Sequence, residues 1–403
     1  MLGVTGGIAA YKSIQLARDL TRLGAQVQVV LTESATRFVT PLAFEGVTGG
    51  AVFDSLWSVE GSARHLRLAS EADLVVVAPA TADFLARTAA GRADDLLSTI
   101  LLATRAPVLV APAMNHRMWE HPQTRRNAEH LGEAFGHVLV GPASGPLAAG
   151  EGEGPGRMVE PEVLMLHAGR LLGRAEPWSD RRVLVTAGPT HEALDPVRYL
   201  GNRSSGRMGY ALAEAAWLRG ARVTLVTGPS ALPRPVGLRC IEVQSAREME
   251  AEVRSQLPDH DVQIFAAAVA DFRPETAAEG KVKRSEVAGP DRTWSVPLVE
   301  NPDVSADTRD ARREGSLTVG FALETEDLLE RAREKMERKG FDVIVANPAG
   351  EEGAGFESET NRVTILDRRG AVTDWPSQSK HAVAWRLLDH LEGLLHDPEV
   401  AGD

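Results

Sequence analysis

Apolar residues recur along this chain in two rhythms. Runs such as "LGV", "QVQVVLT", "DLVVVAPA", "APVLVAPA" and "HVLVGP" are apolar almost without interruption, as strands buried on both faces of a parallel sheet must be. Between them, stretches such as "IAAYKSIQLARDLTRLG" space their apolar residues three and four apart, the period of an amphipathic helix. After "GRAEPWSD" the alternation restarts, with "RVLVTAG", "ARVTLVTG", "DVQIFAAA", "LTVGFA" and "FDVIVAN" as the strands. Two helix-to-strand passages, "LTRLGAQVQVVLT" and "AWLRGARVTLVTG", both place a glycine, Gly24 or Gly220, where a left-handed helix stop is expected. The predicted fold class is α/β, with two doubly wound domains spanning 1–177 and 178–403.

Length and composition fit that division. At 403 residues the chain is too long for one ordinary core. Its 43% hydrophobic and 25% charged content is globular, and no apolar run reaches the ~18 residues of a membrane span. A net charge of −12 argues against nucleic-acid or anionic-membrane partners. One cysteine, Cys240, excludes an internal disulfide and a Cys-based zinc cluster. "MLGVTGGIAAYKS" lacks a basic segment ahead of an apolar one, so no signal peptide and a cytoplasmic address are expected.

Candidate chemistry gathers at strand ends. In "GVTGGIAAYK", Gly6 and Gly7 let backbone N–H groups approach an anion at a helix N-terminus, although a tight turn holding nothing reads the same way. Thr32, and Thr81 in "APATAD", add hydroxyls at two more strand ends, and together these suggest a mononucleotide. Asn115 in "APAMNHRMW" offers an amide for a carboxylate or carbonyl, or else caps its loop, and Trp119 reads as core. His65 lies on a predicted helix with Leu66, Leu68 and Ala69, as a structural or solvated residue or as a proton carrier. The Gly-rich "SGPLAAGEGEGPGRM" has the composition of a tether, but it precedes the last helix of its own domain, "PEVLMLHAGRLLG", and reads better as a lid.

In the second domain, "RYLGNRSSGRMG" leads into a helix with Ser204, Ser205, Arg203 and Arg207 suited to wrapping phosphates, or forms a basic surface loop. Asp271 ends a strand and Lys281 opens "KVKR", the pairing a metal–triphosphate needs, or a solvated charge run. Lys335 and Lys339 share one helix face, where i,i+4 pairing with Arg331 or glutamates is the alternative.

"GVTGGIAAYK", "APATAD", "PAMNHRMW" and "GPGRM" resemble the flavin-containing cysteine decarboxylases. "AGPTHEALDPVRYLGNRSSGRMG", "AAAVADFRP", "KVKR", "NPDV" and "GFALET" resemble phosphopantothenate–cysteine ligases. In this order they are similar to the bacterial bifunctional coenzyme A biosynthesis family, over nearly the full length. The resemblance implies a flavodoxin-like flavin-binding domain followed by a Rossmann-like ligase domain. It implies FMN held by Gly6, Gly7, Ile8, Thr32, Ala80, Thr81 and Ser98, with His65 and Asn115 at the active site. For the ligase it implies that Asn202 orients an acyl intermediate and that Lys281 meets a triphosphate. The substrate and nucleotide positions it carries over are Arg198, Phe265, Ala266, Ala267, Asp271, Asn301, Pro302, Asp303, Val304, Phe321, Lys335 and Lys339.

The implied reactions are CTP-dependent joining of 4'-phosphopantothenate to cysteine through an acyl-cytidylate, with Mg2+, and FMN-dependent decarboxylation of the product to 4'-phosphopantetheine. The resemblance also implies trimers of the flavin domain and dimers of the ligase domain. The chain departs from the pattern in two places. Ala149 stands in "LAAG" where the family's lid carries a cysteine that protonates an enethiol, leaving Glu151, Glu153 or water for that step. Met1 falls almost inside the first predicted strand, where relatives carry a few more residues, which leaves room for an upstream start codon. Two rival readings are a flavin-binding interaction module, with the first domain impaired or silent, and a two-domain dehydrogenase using Glu33 on a ribose.

Overall fold

The apolar runs become strands whose alternate residues enter two separate cores. The computed structural model describes residues 1–57, 63–173, 177–284, 293–324, 328–348 and 358–395. The chain divides into two units, Met1–Gly173 and Arg174–Asp403. In the first, strands β1 (Leu2–Val4), β2 (Val29–Leu31), β3 (Val52–Phe53), β4 (Val75–Ala80), β5 (Val108–Pro112) and β6 (Val138–Leu139) form a sheet ordered β3-β2-β1-β4-β5-β6. Every pairing in it is parallel. Val76 and Ala78 pack with Leu16, Ala17 and Leu164 on one face, while Val75 and Val77 pack with Leu68, Phe84 and Ile100 on the other. That two-sided burial is why these strands carry no polar alternation.

Without its two-residue edge strand β3, this sheet has the flavodoxin order 2-1-3-4-5, and the direction of winding reverses between β1 and β4. β3 escaped the sequence pattern because both its residues are only half-buried. The Gly-rich segment is an antiparallel hairpin of β7 (Ala143–Pro146) and β8 (Glu153–Arg157), with Gly145 opposite Gly154.

The strands of the second unit are β9 (Arg182–Ala187), β10 (His191–Ala193), β11 (Tyr199–Gly201), β12 (Arg222–Thr227), β13 (Arg239–Glu242) and β14 (Val262–Phe265). They continue with β15 (Phe272–Pro274), β16 (Leu298–Glu300), β17 (Leu317–Glu324), β18 (Val343–Pro348), β19 (Thr360–Asp367) and β20 (Val372–Ser379). Its large sheet runs β13-β12-β9-β14-β17-β18-β19-β20. The doubly wound expectation holds as far as β18, but β19 and β20 extend the sheet antiparallel. This extension was illegible because β20, "VTDWPSQS", buries only Trp375 and carries Pro376, as an edge strand can. Gly24 and Gly220 both adopt the expected left-handed backbone, with φ of 92° and 104°.

Arg219 ties the helix Arg207–Leu218 to the helix Lys380–Leu395. It is 5% exposed. Its guanidinium donates to Asp389, to Glu392 and, at 3.0 Å, to the Trp385 carbonyl, and lies 4.7 Å from the Trp385 ring centroid. Glu392 also accepts from Trp178 Nε1 at 2.8 Å, so the first described residues of this unit and the helix Lys380–Leu395 meet at one group. Arg219→Ala is expected to cost about 2 kcal/mol, because hydrogen bonds to charged partners are lost while part of the carboxylate charge stays solvated. In a unit of this size that is a fall of roughly 5 °C in the thermal midpoint, read by calorimetry; an unchanged midpoint removes the clamp.

Candidate functional site

In the first unit a cavity of about 590 Å³ opens at the carboxyl ends of the strands. Gly6, Gly7, Ile8, Thr32, Thr81 and Asn115 all line it. A Cβ on Gly6 would stand 2.3 Å from the Ser34 Cβ, so the turn into the helix Ala10–Arg22 can close only with glycine. Thr5 Oγ1 donates to the Pro79 carbonyl at 2.8 Å and accepts from Thr81 N–H at 3.1 Å, locking the ends of β1 and β4 together. Asn115 does cap its loop, since its Oδ1 accepts from Arg117 N–H at 3.0 Å. Its N–H2 end is therefore what it can offer a ligand. Trp119 is buried, as expected of a core residue.

The hairpin walls the same cavity with Leu147, Ala148, Glu151 and Gly156. Its base is fixed twice. Met114 N–H donates to the Gly156 carbonyl at 2.9 Å, where a Cβ on residue 156 would stand 2.2 Å from the Met114 oxygen. Lys12, side chain 8% exposed, donates to the Met158 carbonyl at 3.1 Å and to Glu160 at 3.0 Å. Burial pushes the Glu160 carboxyl up, but Lys12 and Arg157 outweigh it and hold it below the usual range. Lys12 was hidden from sequence reading inside an amphipathic helix.

Three expected positions lie outside this cavity. Ala80 is buried as the last residue of β4. Ser98 closes a capping box with Asp95, whose carboxylate accepts its N–H at 2.8 Å. His65 is half-buried on the helix Arg64–Glu71 and is not among the lining residues. Glu33 is exposed and is not among the lining residues, although its neighbours Thr32 and Ser34 are.

The second unit has its own cavity, of about 560 Å³. Asn202, Phe265, Ala266, Ala267, Asp271, Asn301, Pro302, Asp303, Val304, Phe321, Lys335 and Lys339 line it. Asn202 Nδ2 donates to the carbonyls of Ala268 and Val269 at 3.1 and 3.0 Å, leaving Oδ1 as the end that can meet a ligand. Asn301 is spent on structure, donating to the Ala270 carbonyl at 2.8 Å and accepting from Arg273 at 3.2 Å. Lys339 pairs with Asp303 at 2.9 Å, across elements rather than along its helix. Burial pushes the Asp303 carboxyl up, but Lys339, Ser305 and the Ala306 N–H together hold it below the ordinary range.

Arg198 and Lys281 are not among the lining residues. Both belong instead to an assembly around Asp195, a buried carboxylate the sequence did not announce. Asp195 accepts from the N–H groups of Val197, Arg198 and Val282 at 2.8, 2.8 and 3.2 Å. Arg198 in turn donates to the Val282 carbonyl at 3.1 Å, which pins "KVKR" with Lys281 exposed at its start. Sequence reading also missed Asn347, Asn361 and Lys380, which line the cavity and are 7%, 3% and 5% exposed.

Comparison with known proteins assigns both halves. A flavoprotein family model matches residues 1–168, and the model of the DNA/pantothenate metabolism flavoprotein C-terminal domain matches residues 178–394. The coenzyme A biosynthesis bifunctional protein CoaBC of Vibrio vulnificus is 46% identical over 397 residues, covering 98% of this chain and 97% of that protein. The same protein of Escherichia coli K12 is 43% identical over 393 residues, covering 97% and 96%. The chain belongs to the bifunctional coenzyme A biosynthesis family. Its solved members include the C-terminal domain of a CoaBC protein, 37% identical, with a TM-score of 0.46, covering 54% of this chain and 99% of that one. As in that family, the chain couples a flavoprotein decarboxylase half, carrying the first cavity, to a ligase half, carrying the second.

The Asp303–Lys339 pair has a defined pH signature. Because the folded carboxyl is held low, the pair contributes stability above the unfolded value of 3.8 and loses it as pH falls through the lower folded value. The gap in thermal midpoint between the parent and Asp303→Asn is therefore expected to be full near neutrality and to close in acid below 3.8. Stepped-pH calorimetry reads it, and a gap independent of pH would remove the ion pair as its cause.

Proposed function

We propose that the second cavity joins 4'-phosphopantothenate to cysteine at the expense of CTP, and that the first decarboxylates the resulting 4'-phosphopantothenoylcysteine to 4'-phosphopantetheine with FMN. The observation that carries this reading is the presence of two separate cavities at strand carboxyl ends, each lined by its own half's motif residues. In the ligase step a substrate carboxylate oxygen bonds to the α-phosphorus of CTP, and pyrophosphate leaves with the broken P–O pair. Activation is needed because a free carboxylate does not acylate an amine. Asn202 Oδ1 accepts from a hydroxyl or amide N–H of the acyl chain and orients it. Lys335 and Lys339 face the nucleotide, and Lys281 comes to its triphosphate from the exposed start of its loop. Mg2+ accompanying the triphosphate would need only one or two protein carboxylates, and Asp271 and Glu300 supply them.

The first cavity fits FMN: glycines at a helix N-terminus suit its phosphate, and Ile8, Met114, Met118 and Leu147 suit a flat ring. What FMN supplies when bound is a reversible two-electron acceptor beside the substrate thiol. Asn115 offers its amide N–H2 to the carboxylate that is lost, and the hairpin excludes water. Homo-oligomers are part of the reading. Ile8 and Tyr11, each 61% exposed at the cavity rim, are apolar surface for a second copy to cover, and His65, outside its own chain's cavity, would act on a neighbour's. No helix among the described residues is long and apolar enough to cross a membrane, and a cytoplasmic site of action accords with the small-molecule substrates.

Two experiments test the reading. With CTP, 4'-phosphopantothenate and cysteine, the protein is expected to release pyrophosphate, and Lys281→Ala to do so about 10²-fold more slowly through lost charge stabilisation. An unchanged rate removes Lys281 from the triphosphate. In the flavin half, Ala149 and Glu151 are both exposed, but of the two Glu151 lines the cavity, which supports Glu151 as the final proton donor. Glu151→Gln should accumulate a product two hydrogens lighter than 4'-phosphopantetheine in mass spectra, while Ala149→Cys changes little. Accumulation by the parent itself would instead indicate an impaired decarboxylase.

A further inference from the structure

Behind the second cavity stands an arginine that does not line it. Arg312 is half-buried, and its guanidinium carbon lies 5.5 and 5.8 Å from the ring centroids of Phe265 and Phe341, two rings that do line the cavity. Arg312 Nη2 donates to the Ser305 carbonyl at 2.5 Å, and Nη1 to the Gly340 carbonyl at 2.8 Å. Its Nε is buried and meets no acceptor, so these two bonds orient the fork.

The two carbonyls belong to the two elements that carry the cavity's ion pair. Ser305 comes two residues after Asp303, in the short helix Val304–Asp307, and Gly340 directly follows Lys339, the last residue of the helix Leu328–Lys339. Lys339 Nζ reaches Asp303 at 2.9 Å, and Ser305 Oγ donates to the same carboxylate at 2.9 Å. The pair itself cannot fix the spacing of its two elements, because a lysine ammonium is a point charge on a flexible stem. A guanidinium presents its donors in a rigid plane, and here both go to backbone, which has no rotamers to absorb a shift.

Keeping a cation in that place is costly. Burial, and then the charge of Arg309, bring the Arg312 pKa down to about 10 against the pull of Asp342 and Asp303, so the group stays charged at neutrality while partly desolvated. A residue serving stability alone could be apolar, since replacing a desolvated charge by well-packed apolar groups is often neutral or stabilising. An apolar side chain could pack on Phe265 and Phe341 but could not hold two carbonyls at a set separation.

We propose that Arg312 is a positioning residue of the ligase: its fork sets the separation of the backbones that carry Asp303 and Lys339, and so holds the Lys339 ammonium at the wall that faces the nucleotide. This rests on the ligase reading of the same cavity. Arg312 makes and breaks no bond of the reaction. It acts through Lys339, so its influence falls on CTP and not on the other two substrates.

Two variants of the full-length protein test this. Arg312→Ala removes the fork, and Arg312→Lys, the milder change, keeps the cation without the fork. Each is expected to raise the KM for CTP about tenfold in pyrophosphate release, with the KM values for 4'-phosphopantothenate and cysteine within about twofold of the parent. In a Lys339→Ala background, Arg312→Lys should add less than about twofold, because the residue it positions is already gone. A parental KM for CTP in Arg312→Lys overturns the proposal, leaving the arginine a charge alone. So does a tenfold effect that persists in the Lys339→Ala background, or an equal rise for all three substrates, either of which marks a general structural role. A second readout needs no turnover: at neutral pH the gap in thermal midpoint produced by Asp303→Asn should shrink to less than about half in the Arg312→Lys background. An unchanged gap overturns the clamp whatever the activity, whereas absence of CTP-dependent pyrophosphate release in the parent is a failure of the ligase reading itself.

Discussion

A parallel sheet covered on both faces can meet a ligand only at its strand ends, because everywhere else its backbone is paired and its side chains are packed. Both units obey this constraint, and their chemistry follows from it. Apolar residues fill β4, whose first following polar group is Thr81, while β14 carries the buried Gln263 and Asp271 comes after the stretch Ala266–Ala270 that follows it. Inner hydroxyls then serve to hold the ends in place. Thr5 locks β1 to β4, and Thr186 Oγ1 accepts from Ala267 N–H at 3.2 Å, fixing the turn after β14.

The same constraint explains what the sequence could reveal. Residues following a buried strand were legible, because topology delivers Gly6, Thr32, Asn115 and Asp271 to a cavity, whereas Phe321, inside β17, was reached through the resemblance alone. Half-buried or edge strands were not: β3, β13 and β20 lack the continuous apolar run that two-sided burial imposes. Residues brought in from helices and distant strands were also silent. Lys12 and Lys380 look like ordinary surface lysines until the packing buries them. Conversely, Ser98 and Arg198 carry polar side chains that local partners have already engaged, in a helix cap and at Val282.

Asparagine shows most plainly why position is more legible than role. Its amide holds a donor and an acceptor on one carbon, and only local geometry decides which end is left for a ligand. A cap takes the oxygen of Asn115, so that residue can donate; two carbonyls take the nitrogen of Asn202, so that residue can accept. Carbonyl partners accept hydrogen bonds and never donate them, which fixes the orientation of Asn202 without reference to hydrogen positions. Asn347 and Asn361 differ from these two in being buried with an amide oxygen that meets no partner.

The hairpin over the first cavity turns the same logic on the family's missing thiol. Its base is held by glycine packing at Gly156 and by the buried Lys12, while its tip is closed by its own turn. There Leu147 N–H donates to the Gly152 carbonyl and Glu151 N–H to the Ala148 carbonyl, each at 2.9 Å. In this register Ala148 and Glu151 are among the residues lining the cavity and Ala149 is not, although Glu151 and Ala149 are both exposed. Glu151 follows in the same turn, and a carboxyl group can both give and regain a proton where alanine cannot. The base of the hairpin is held through Gly156 and Lys12, by contacts that do not involve the tip residues 148–151.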